Sequence, residues 1–189
     1  MNKKTIALTT EQYTEIIDTM KKGFSGCRAN NRIATALVLE ANLGLRISDI
    51  LNLKLNDIIK DGERYRLDIV EQKTGKKRTF TVLNEIYTYL KMYCLENGIK
   101  PHEKIFPITE RAIQKQLKIV CDYLGYSDLS ISTHSFRKFF ATNVYINNDY
   151  NIVIVQRLLQ HSTPSVTQQY IGIEPKAIED ALKKQICLL

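Results

Sequence analysis

Apolar residues recur at helical spacing from the start of the chain. Thr9 and Gln12 form a capping-box pattern, and Tyr13, Ile16, Ile17 and Met20 then share one helical face. Residues 31 to 43 predict a second, strongly apolar helix carrying Ile33, Ala34, Leu37 and Ala41, with Gly44 placed as its C-terminal cap. "RISDILNLK" opens another short helix directly afterwards.

The period then changes. "NDIIKDGERYRLDIVEQKTGKKRTFTVL" holds three short runs rich in Ile, Val, Tyr, Phe and Thr, separated by Asp61-Gly62 and Thr74-Gly75. That pattern predicts a small three-stranded antiparallel sheet made of two hairpins. Helical spacing returns over about 84 to 97, 110 to 124 and 133 to 147, the first two ending at Gly98 and Gly125. "NIVIVQRLLQ" and "PKAIEDALKKQI" predict two more helices, with a short turn or helix around 164 to 171. The expected fold is mainly α (α+β), a single domain over 1–189 without repeats or linkers.

Composition narrows the function. The chain has 189 residues, 44% hydrophobic and 25% charged, as expected of a globular protein. No apolar run reaches bilayer length and "MNKKTIALTT" lacks a signal-peptide core, so no membrane role and a cytoplasmic location are expected. Four scattered cysteines form neither a metal-ligand pattern nor a disulfide framework. The formal charge of +7 favours a polyanionic partner, with nucleic acid first.

Several polar residues sit where apolar ones or ordinary surface charges are expected. Arg46 follows a glycine cap, and Asp49, one turn later, is expected to hold its guanidinium. Lys73 stands at a hairpin tip, beside Lys76, Lys77 and Arg78. His134 and Arg137 lie three positions apart in a helix that also has Phe136, Phe139 and Phe140 to bury. His161 follows an apolar helix, and Tyr170 comes nine residues later. Singly, each has an ordinary reading: a bridged arginine, a solvated hairpin lysine, a surface His–Arg pair, a histidine at a helix C-terminus, a packing tyrosine.

In this order the set resembles the catalytic domain of the tyrosine recombinases, the phage integrase family. "LGLRISDILNLKLNDI" is similar to the family's first arginine motif, "KTGKKRTFTV" to its hairpin lysine motif and "THSFRKFFAT" to its His-x-x-Arg box. "LLQHSTPSVTQQY" is similar to the segment ending in the nucleophile. The departures are Lys138 where a histidine often follows the box arginine, Gln160 where glycine often precedes the second histidine, and Gly172 where histidine or tyrosine is common. Members usually carry arm-binding or core-binding domains ahead of this one. On that resemblance the chain is expected to hold the catalytic domain alone, without those N-terminal domains.

The resemblance implies a site-specific recombinase or integrase. Such an enzyme cuts one DNA strand, holds the end as a 3′-phosphotyrosine, then exchanges strands and religates, with no cofactor, metal or ATP. It implies Arg46 and Arg137 as phosphate clamps, Tyr170 as nucleophile, His134 as proton acceptor or relay, His161 as a phosphate hydrogen-bond donor and Lys73 as acid for the leaving 5′-oxygen. Lys76, Lys77 and Arg78 are expected to contact double-stranded DNA, with Asp49 supporting Arg46. The protein is expected to be a monomer in solution and a tetramer on nucleoid DNA, with a directionality factor as a further candidate partner. The alternatives are a type IB topoisomerase, which shares the chemistry, a DNA-binding regulator that keeps only the fold, and a basic structural domain. An apolar face on the tail (Ala177, Ile178, Ala181, Leu182, Ile186) is expected to pack on its own domain or to pass to a neighbouring protomer on DNA.

Overall fold

The computed structural model describes residues 5–73 and 75–172. The chain divides into two compact units, 1–140 and 141–189. The tail helix expected after residue 173 lies outside the described residues, which contain no helix long and apolar enough to cross a membrane.

The first unit begins with α1 (Thr10–Lys22), closed at its N-terminus by the Thr9–Gln12 capping box. The central element is α2 (Asn31–Leu43), capped by the Asn30 side chain and buried on nearly every side. A helix with this little polar surface forms only inside a core, and Leu37, Leu39 and Leu43 are among its best-buried side chains. α3 (Ile47–Ile50) and a 3₁₀ turn (Leu55–Asp57) lead into the sheet. Its strands β1 (Ile58–Asp61), β2 (Arg64–Val70) and β3 (Lys77–Val82) are antiparallel in sequence order, with Ile58 opposite Leu67 and Leu67 opposite Phe80. Two further helices follow, α4 (Asn84–Glu96) and α5 (Glu110–Tyr123).

α6 (Thr133–Asn147) starts in this unit. Phe136 is fully buried and Phe139 stacks on Tyr13 of α1, ring centroids 4.9 Å apart. These aromatic contacts fix the start of α6, and with it the roll of His134 and Arg137. In the second unit, α7 (Ile152–Leu159) is capped by Asn151, and α8 (Pro164–Ile171) by Thr163.

Gly44 is constrained twice over. Its φ is +57°, and a Cβ there would stand 2.3 Å from the Phe140 ring. Gly44→Ala is therefore expected to lower unfolding free energy by about 2–5 kcal/mol, the left-handed penalty plus overpacking. Urea denaturation of both proteins checks this, and a loss under about 1 kcal/mol would mean that Phe140 moves aside at little cost.

Candidate active site

Arg46 is the N-cap of α3, directly after the left-handed Gly44 and buried Leu45. Its partner is not Asp49, as the sequence suggested. Nη1 of Arg46 donates to Oε2 of Glu71 at 2.5 Å, and the arginine side chain keeps 19% of its surface exposed. Asp49 is buried, and its Oδ1 accepts from the backbone N–H of Gln72 at 2.8 Å. The physical reason lies in the hairpin. β2 ends beside α3, so Glu71 arrives at the guanidinium while Asp49 meets the exposed peptide of the turn.

That turn carries Lys73. The N–H of Glu71 donates to Lys76 O, and the N–H of Gly75 to Glu71 O, closing a tight loop with Lys73 exposed on it. Lys76 and Lys77 are exposed as well, as a phosphate-contacting role requires. Arg78 corrects the expectation made for it. It is 2% exposed, so it is no surface DNA contact. The alternation of β3 turns it inward, where Nη1 donates to Oε1 of Glu71 at 3.2 Å and both terminal nitrogens reach the Gly44 carbonyl at 3.4 Å. Its guanidinium also lies 4.9 Å from the centre of the Phe80 ring. Burial, then the charge of Arg137, pull its pKa down to about 10 against the opposing pull of Glu71, which leaves it protonated at neutral pH.

Arg137, on α6, is buried and donates from Nη1 to the same Gly44 carbonyl at 2.7 Å. The orphan carbonyls at the C-terminus of α2 thus accept from two guanidinia, the cations that the negative end of a helix favours. Glu40, one turn earlier on α2, is fully buried with neither carboxylate oxygen hydrogen-bonded, and burial raises its pKa well above the usual range despite the nearby Arg137.

His134 is exposed on the first turn of α6. Partial burial of the ring lowers its pKa first. The positive charges of Arg137, Lys73 and Arg46 lower it further, with Glu110 opposing. The ring is therefore neutral at pH 7 and able to accept a proton. The same couplings bring four of the six expected residues into one electrostatic neighbourhood: Arg46, Lys73, His134 and Arg137.

The other two belong to the second unit. His161 follows Gln160, whose left-handed φ of +55° caps α7 and gives a physical reason for a glycine at this position. Nδ1 of His161 lies 3.1 Å from the hydroxyl of buried Thr167, which fixes the ring. Tyr170 meets His161 edge to face, centroids 5.1 Å apart at 76°.

The family model described as "Phage integrase family" matches residues 7–176. The chain belongs to the phage integrase family. It is 33% identical over 165 residues to a probable integrase/recombinase YoeC of Bacillus subtilis strain 168, covering 82% of this chain and 84% of that protein. Its fold matches the catalytic domain of bacteriophage HP1 integrase with a TM-score of 0.65 at 18% identity, over 96% of each chain. It also matches the XerH site-specific recombinase, solved bound to a palindromic difH substrate as a post-cleavage complex, with a TM-score of 0.71 at 19% identity. That match covers 97% of this chain but 54% of the XerH chain. Against two further curated tyrosine recombinases the chain spans 61% and 50% of their length.

Glu71 is the site residue that sequence reasoning missed. The available signal was its place two residues before Lys73, directly after the last residue of β2.

Proposed function

We propose that this chain is the catalytic domain of a site-specific tyrosine recombinase acting on double-stranded DNA. The observation that carries the reading is the convergence of Arg46, Arg137, Lys73 and a neutral His134 in one neighbourhood of the family's fold. A phosphodiester under in-line attack gathers negative charge on its non-bridging oxygens, and preorganised guanidinia are suited to it. The Tyr170 oxygen attacks phosphorus, its proton passing to His134, while His161 hydrogen-bonds a phosphate oxygen. The P–O5′ bond breaks as Lys73 delivers a proton to the 5′-oxygen, leaving a 3′-phosphotyrosyl ester and a free 5′-hydroxyl. Attack by a 5′-hydroxyl from another strand reverses these steps and reseals the backbone. Lys76 and Lys77 hold the flanking phosphates. Strand exchange requires four protomers on DNA, which assemble from monomers, and a directionality factor is a further partner.

The test uses duplexes with a randomised window and a nick just 3′ of it, so that the short 5′-hydroxyl product of cleavage diffuses away. The expected result is a protein–DNA adduct stable on a denaturing gel. Its DNA, sequenced, gives the preferred site, and its tryptic peptide carries the nucleotide on Tyr170. DNA binding with no adduct from any pool would make the chain a binding protein and overturn the reading.

A further inference from the structure

Among the buried charged groups that the reaction scheme leaves unused, Glu71 stands directly against a residue the scheme does use. Glu71 is 1% exposed and sits between two guanidinia, Oε2 accepting from Arg46 and Oε1 from Arg78. An ionised carboxylate this deep is retained only with full pairing. Its backbone is engaged too, since both its N–H and its carbonyl close the turn that holds Lys73. Asp49 grips the next peptide of that turn, from the helix that Arg46 caps.

We propose that Glu71 is a positioning residue for Arg46, holding one edge of the guanidinium so that its remaining donors face the scissile phosphate before DNA arrives. The inference rests on the role given to Arg46 above. Arg78 is the fixed counter-charge that keeps the carboxylate in place, and it is itself moored to the Gly44 carbonyl shared with Arg137. A guanidinium has five donors, so a carboxylate on one edge leaves a fork for phosphate oxygens. Without Glu71, Arg46 would be a flexible side chain facing the like charges of Arg78, Arg137 and Lys73. Its ordering would then have to be supplied at each turnover. Prior orientation is what makes fixed donors effective in a transition state.

The experiment compares Glu71→Gln, Glu71→Asp, Arg46→Ala and the double variant Arg46→Ala/Glu71→Gln, using the duplex recovered by adduct trapping. Single-turnover cleavage, DNA affinity and thermal midpoint are measured for each. Gln keeps the size but not the charge. Asp keeps the charge but draws it back by one methylene from the guanidinia, and remains readable if the Gln variant fails to fold. Both are expected to cleave about 10–10²-fold more slowly, the scale of a misplaced catalytic group, with DNA affinity within about 3-fold of wild type. Added to Arg46→Ala, Glu71→Gln should slow cleavage no further, because its effect runs through that arginine. Multiplicative losses in the double variant, wild-type rates in both single variants, or an Asp variant that melts far below wild type would overturn the proposal. Wild-type cleavage by Arg46→Ala would instead overturn the role of Arg46 itself.

Discussion

Tyr170→Phe is expected to abolish the covalent adduct while leaving DNA affinity within about 2-fold, since the phenol oxygen is the only nucleophile removed. The substitution deletes one oxygen and no charge. The features that shape its surroundings stay: the Thr163 cap and Pro164 at the start of α8, the left-handed Gly172 at its end, and the edge-to-face contact with His161, which is made by the ring. A free phenol has a pKa of about 10, so at neutral pH attack depends on a neighbouring base, and no other group of the phenylalanine ring can substitute. Nicked duplex and protein are incubated under single-turnover conditions, and the slow band is counted on a denaturing gel. The protein has ten tyrosines. Equal trapping by the Phe variant would transfer the nucleophile to another of them, with Tyr145 and Tyr150 of the second unit first in line.

Among the described residues, the helices and the three strands were legible because each carries its period openly. α2 and α6 fall on the residues that the spacing predicts, Asn31–Leu43 and Thr133–Asn147. The site was legible only as a set of residue types, since the ordinary readings of Arg46, Lys73 and His134 differ from the chemical one by what lies across the fold. What holds those residues was not legible. Helical spacing paired Arg46 with Asp49, one turn away, whereas the bond that forms runs to Glu71 across 25 positions. Local spacing cannot price a partner delivered by a hairpin. Arg78 misled for a similar reason. In a run with Lys76 and Lys77 it reads as one more surface charge, yet strand alternation sends alternate side chains to opposite faces, and Arg78 takes the inward one. Gly44 was legible as a cap, but its carbonyl as a joint acceptor for Arg78 and Arg137 depends on the docking of α6.

Lys73→Ala is expected to slow cleavage by about 10²–10⁴-fold, the usual contribution of a general acid. The departing 5′-oxygen is a poor leaving group as an alkoxide. Lys73 is the exposed cation on the turn that Glu71, Gly75 and Lys76 close by backbone hydrogen bonds, and its charge is felt at His134. It is therefore carried by a turn that is tied at its base, through Glu71 and Gln72, to the segment bearing Arg46. A loss of rate alone would not separate proton delivery from phosphate binding. A duplex whose 5′-bridging oxygen is replaced by sulfur does separate them, because a thiolate departs without a proton. On that substrate the Lys73→Ala variant should recover to within about 10-fold of wild type, whereas Arg137→Ala, which removes charge from the non-bridging oxygens, should stay impaired by about 10²–10³-fold. Lys76→Ala and Lys77→Ala serve as neighbours whose loss should weaken binding more than cleavage. If sulfur restores nothing to the Lys73 variant, the ammonium is a phosphate contact, and the acid must be sought among the other donors around the leaving oxygen.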